Sequence, residues 1–170
     1  LEFSGSGGFA VKYVAFASLV GIIASAIAMG AATDGSDAQS AFAVLACVGV
    51  AGWVVSALTW VYMSWDFLPY DFRRNRSGRA ISPSEAVGLQ FIPLYNLYWI
   101  FVQNLGYCDA LDSLLAQTGS RERAPRSLAM TCCVVQVIPY LNWALGPFLW
   151  MAYMVATDNV KAQLRAAHAP

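Results

Sequence analysis

The sequence predicts an all-α integral membrane protein: two spanning helices followed by two tandem helical repeats, each broken at a proline. Composition is the first observation behind this. Of 170 residues, 58% are apolar and 12% are charged. That is half the ~25% charge of ordinary soluble domains and too little polar surface to cover a water-facing globule. Second, the apolar residues run without interruption, whereas outer-membrane barrel strands alternate apolar and polar positions. Third, the chain repeats itself. Gln90-Phe91-Ile92-Pro93-Leu94-Tyr95-Asn96 recurs as Gln136-Val137-Ile138-Pro139-Tyr140-Leu141-Asn142, a constant offset of 46 residues. The same offset pairs Tyr107 with Tyr153, Ala110 with Ala156 and Asp112 with Asp158.

Residues 1–8 (LEFSGSGG) lack an initiator Met, are rich in Gly and Ser, and read as a linker or cloning scar outside the fold. Residues 9–32 form the first spanning helix, long enough for the ~20 apolar residues that a bilayer requires. Its one charge, Lys12, lies near the end, where it can snorkel to the headgroups. Ala17, Gly21 and Ser25 repeat at four-residue spacing, a small-residue face for close helix approach. An acidic loop (33–40, with Asp34 and Asp37) leads to the second helix, 41–65, whose Gly49, Gly52 and Ser56 are the expected partners of that face. Trp60, Tyr62, Trp65, Phe67, Tyr70 and Phe72 then mark a water–lipid boundary. Arg73, Arg74, Arg76 and Arg79 follow within seven residues, a cytoplasmic signal under the positive-inside rule. The same charges suit contact with anionic lipid headgroups. Ser82-Pro83-Ser84-Glu85 opens a helix, with Ser82 and Glu85 at capping-box spacing and Pro83 in the first turn.

The two repeats occupy 83–117 and 126–163, joined by Thr118–Pro125 with Arg121 and Arg123. Four ordinary spans would place this basic loop outside, against the charge rule. Each repeat instead reads in one of two ways. In the first, it is a re-entrant hairpin that enters from the cytoplasmic side and turns at Ile-Pro-x-x-Asn. The proline removes a backbone donor there, and Asn can satisfy freed backbone groups. In the second, it is a long, tilted, proline-kinked span. Irregular backbone at membrane depth needs protein or a wet cavity around it, so the turns are expected to pack inside the bundle.

Gln90, Asn96, Gln103, Asn104, Gln136 and Asn142 form the polar set inside the apolar segments. They are read as bonds holding the two copies together; the alternative is a polar site or pore lining where broken helices meet. No charged residue is expected deep in any apolar segment, which disfavours an ion-coupled pump. Asp66 and Asp71, or Asp109 and Asp112, beside Arg-rich loops, read as solvated ion pairs and not as acid–base pairs. Lys161, Arg165 and the single histidine, His168, lie in the tail beyond Asp158, and His168 reads as a solvated tail residue and not a ligand. With that one histidine near the end, no Ser-His-Asp or Cys-His set can form, and no glycine loop cradles phosphate. No enzyme activity, cofactor or metal is expected. Cys47, Cys108, Cys132 and Cys133 lack zinc-site spacing, and adjacent Cys132 and Cys133 cannot close an unstrained disulfide. They read as small buried hydrophobes. Ten basic residues balance ten acidic ones, with no basic stripe, so nucleic acid is not an expected partner.

Residues 82–88 (S-P-x-x-A-V-G) and 91–101 (F-I-P-x-x-N-x-Y-W-x-F) resemble small bacterial integral membrane proteins of unknown function. These have about four hydrophobic segments and sometimes follow a GYF-type adaptor domain. The match covers some 20 residues of the 170, and the second copy departs from it at Trp143 and Pro147. The resemblance implies an inner-membrane location and a truncated amino terminus, and supplies no mechanism. The expected function is a non-enzymatic scaffold, anchor or membrane-shaping protein whose partners are the lipid bilayer and a second copy or another membrane protein. The alternative is a channel or transporter for a small uncharged or weakly charged solute.

Overall fold

A computed structural model describes residues 8–31, 37–74 and 78–168. Residues 1–7 of the expected linker, Asp34 of the acidic loop, Arg76 of the basic cluster and the side chain of His168 lie outside the described residues. The described chain is helical: α1 (Gly8–Ala31), α2 (Asp37–Phe67), α3 (Pro83–Gly88), α4 (Tyr95–Gln117), α5 (Arg126–Val137) and α6 (Pro139–His168). Short 3-10 turns occupy Tyr70–Phe72 and Leu89–Phe91. One isolated antiparallel bridge joins Arg74 and Ala80.

α1 and α2 are each long and apolar enough to cross a membrane, and bury only 17% and 6% of their apolar windows. The core helix of a soluble protein would be mostly buried. α2 starts four residues before the expected 41, with Asp37 in the first turn, where a carboxylate favours the helix dipole. It ends two residues past the expected 65.

The chain forms two compact units, one of Phe9–Trp60 and one built on Val61–Pro170. In the first, α1 meets the leading part of α2. A Cβ on Gly49 would lie 2.8 Å from Ile22 Cγ1, and one on Gly52 would lie 2.8 Å from Ser18 Oγ. These two glycines therefore allow the close approach expected of them. Ser56 is buried, and its hydroxyl donates to the Gly52 carbonyl at 2.7 Å. The face expected on α1 is corrected. Ala17 and Gly21 are exposed, Gly21 with open space around it; Ser18 and Ile22 make the contact, and Ser25 alone of the expected three is buried. A shift of one residue rotates a helix by about 100°, and both stripes carry the same four-residue spacing.

In the second unit, Ser82 Oγ caps α3 by accepting from Glu85 N at 3.1 Å. The Glu85 carboxylate pairs with Arg79. The chain then reverses twice. Trp99 Nε1 donates to the Ala86 carbonyl at 3.1 Å, and Trp150 Nε1 donates to Gln136 Oε1 at 3.0 Å. Residues 13 and 14 apart would be about 20 Å apart in a straight helix, so α3 lies back against α4 and α5 against α6. α4 and α5 run antiparallel, with Cys133 opposite Ile100 and Arg126 opposite Asp109. Trp65, Trp99, Tyr107, Leu111, Tyr153 and Met154 fill the core. Both reversals consequently sit at one end of this unit, and the 118–125 loop at the other.

Candidate functional site

The site follows from the breaks. Ile92 (φ −84°, ψ 111°) and Ile138 (φ −99°, ψ 105°) are both extended, because a following proline disfavours helical geometry in the residue before it. Ile92 N donates to Leu89 O at 3.5 Å, and Ile138 N to Val135 O at 3.1 Å. Asn96 N donates to Ile92 O at 2.9 Å, and Asn142 N to Ile138 O at 2.8 Å. The copies differ in where the helix resumes. The second restarts at Pro139 itself, a favoured first-turn residue. The first inserts Pro93 and Leu94 as a turn, with Leu94 at φ 62°, before α4 begins.

The conserved spacing of glutamine staples each reversal. Gln90 Nε2 donates to Ala86 O and to Gln103 Oε1, both at 3.3 Å, and Gln136 Oε1 receives Trp150. Gln103 and Asn104 are buried; Asn104 Nδ2 donates to Ile100 O on its own helix at 2.8 Å. Asn142 Oδ1 lies so near Gly146 that a Cβ there would clash. These glutamine and asparagine bonds run within a copy, whereas the expectation had them joining the two copies. Two cysteines reach across instead: Cys133 Sγ donates to Ile100 O at 3.5 Å, and Cys108 Sγ meets Tyr153 Oη at 3.6 Å. Cys132 is also buried and Cys47 is exposed; all four thiols are free.

The turns are not packed inside the chain. Leu94, Tyr140 and Trp143 are 84%, 90% and 81% exposed, and Pro93 and Pro139 are exposed beside them. Within the first turn, Tyr95 N donates to Pro93 O at 2.7 Å and Leu97 N to Leu94 O at 3.2 Å, while the Asn96 side-chain oxygen is buried with no partner.

At the opposite end, Arg73 wraps the close of α2. Its Nε donates to Leu68 O at 2.7 Å and its Nη2 to Asp66 O at 2.8 Å and Asp66 Oδ1 at 3.3 Å. That occupies the guanidinium expected at lipid headgroups; Arg74, which donates to Gly78 O at 3.3 Å, and Arg79, paired with Glu85, are exposed. Arg126 pairs with Asp109, and Asp112 Oδ1 accepts from Ala124 N at 2.7 Å.

The segment beyond Asp158 is not a loose tail. α6 continues to His168, and Lys161 is 4% exposed and Asp158 1%. Lys161 Nζ donates to Asp158 Oδ1 at 3.1 Å and to Ser64 Oγ at 2.8 Å, 5.9 Å from the centroid of the Tyr107 ring. A helical-period reading would have found it, since Lys161 falls on the stripe of Tyr153, Met154, Thr157 and Leu164, all buried. Among the described residues no three His, Cys, Asp or Glu side chains are grouped to hold a metal ion. Comparison with protein-family models, curated proteins and solved structures finds no match for this chain.

Proposed function

We propose that this chain is a non-enzymatic, membrane-shaping anchor of a bacterial inner membrane, in which α1 and α2 span and the two repeats enter from the cytoplasmic side as re-entrant hairpins. One observation carries the reading: α5 has only 12 residues, and α6 folds back along it. Twelve helical residues extend about 18 Å, well short of the ~30 Å hydrocarbon core. The first repeat is built alike, with a six-residue α3 and a three-residue 3-10 turn before its break.

Such hairpins pass about mid-depth and turn there. Exposed Leu94, Tyr140 and Trp143 suit lipid contact at their tips, and the bonds made by Asn96 N and Asn142 N lower part of the cost of a turn in hydrocarbon. Arg73, Arg74, Arg79, Arg121 and Arg123 then all fall on the cytoplasmic side, as the charge rule favours. Material inserted from one face expands one leaflet more than the other, which is the shaping activity. A homo-oligomer would multiply the effect.

The experiment is cysteine labelling in inverted and right-side-out vesicles, using Ser120→Cys in a Cys47→Ser background. A membrane-impermeant maleimide is expected to label it from the cytoplasmic face. Labelling from the periplasmic face eliminates the hairpins. Liposome flux of a small neutral solute, abolished by Asn96→Leu or Asn142→Leu, would replace the anchor with a channel.

A further inference from the structure

We infer that Lys161 is a positioning residue, its ammonium acting as a latch that holds the end of α2 against α4 and α6. One charged group touches three segments. It donates to Ser64 Oγ on α2 at 2.8 Å and to Asp158 Oδ1 on α6 at 3.1 Å, and lies 5.9 Å from the Tyr107 ring centroid on α4. Ser64 and Tyr107 are themselves buried. One turn further along α6, the Arg165 guanidinium lies 5.2 Å from the ring centroid of Phe67, the last residue of α2. α6 therefore grips the close of α2 with two cations at four-residue spacing. Trp65 meets Tyr107 with ring centroids 5.8 Å apart, so apolar contact is already present at the same place.

The internal duplication supplies a comparison. The 46-residue offset places Asp158 on Asp112 and Lys161 on Leu115. Leu115 is buried, so an apolar side chain fills this register in the first copy. Asp112 there uses its carboxylate on the Ala124 N–H of the following loop. Space-filling therefore does not require a lysine. What the ammonium adds is direction: apolar burial is non-directional, whereas a hydrogen bond to Ser64 selects one rotational setting of α2's end. The inference is independent of how the repeats sit in a membrane.

The test uses Leu68→Cys in the Cys47→Ser protein, purified in detergent. Leu68 directly follows α2 and is buried, so maleimide labelling reports release of that end. Ser64→Ala removes the α2 side of the latch and is expected to speed labelling about tenfold, the equivalent of ~1.4 kcal/mol for a hydrogen bond to a charged donor. Ser64→Thr, which keeps the acceptor, is expected to restore slow labelling. The double variant Asp158→Leu/Lys161→Met is expected to stay folded and label fast. Equal rates in Ser64→Ala and its parent overturn the latch whatever the double variant does. So does an acceleration that Ser64→Thr fails to reverse.

Discussion

Asn96 and Asn142 make the same bond in the two halves of a duplication: each backbone N–H donates to the isoleucine carbonyl four residues back, at 2.9 and 2.8 Å. The isoleucine is extended in both, so the bond closes a turn across a break. The asparagine position thus works through its main chain. The glutamine three residues before each proline works through its side chain, holding the returning arm.

Gln136→Leu takes away the acceptor of Trp150 Nε1. A loss of about 1 kcal/mol is expected, or a fall of about 3 °C in the unfolding midpoint in detergent. A double-mutant cycle with Trp150→Phe should return a coupling of about 0.5–1.5 kcal/mol. Zero coupling would mean the staple contributes nothing.

Leu94 has φ 62°, a setting that costs a residue with a Cβ on the order of 1 kcal/mol or more. Leu94→Gly is expected to raise the unfolding midpoint by about 2–4 °C. The same change at Tyr140, its counterpart in the second copy and part of regular helix, should lower it by a similar amount.

The two helix faces in the first unit separate by glycine substitution. Gly21→Ala meets open space and should be neutral or stabilise by up to about 1 kcal/mol. Gly49→Val drives a branched side chain into Ile22 and should cost about 1–3 kcal/mol. Thermal unfolding of both variants in one detergent decides it; equal effects would place the contact elsewhere.

Lys161→Met strands a buried carboxylate, and a cost of about 3–5 kcal/mol is expected. Asp158→Leu/Lys161→Met removes both charges and should unfold near the parent midpoint. A single variant as stable as the parent would mean the carboxylate is not held out of water.

The breaks were legible in the sequence because their chemistry is local: a proline dictates the residue before it, and a 46-residue echo marks the pattern as deliberate. α5 and α6 begin and divide where Arg126 and Pro139 say they should. The contact face of α1 was not legible, since Ala17-Gly21-Ser25 and Ser18-Ile22-Ser25 are both spaced for a helix and only the partner chooses between them. Lys161 was hidden for another reason. Among Ala and charged neighbours it resembles a solvated lysine until the buried stripe of Tyr153, Met154, Thr157 and Leu164 is followed to it, and its partner Ser64 lies 97 residues earlier. The exposure of the tips was not legible either, since Leu94, Tyr140 and Trp143 are as apolar or aromatic as the residues of the core.

The separation of three residues between Asp158 and Lys161 also bears on the order of assembly. Their ion pair closes within a single turn of α6 and waits for no distant segment, so the helix can arrive at the core already neutral. The bond to Ser64, like the contact with the Tyr107 ring, must await closure of a long loop, the slow, entropically costly class of event in folding. Charge compensation is thus early and cheap here, and docking of α2's end comes late. A chain arrested before that last step would carry no stranded charge to betray it.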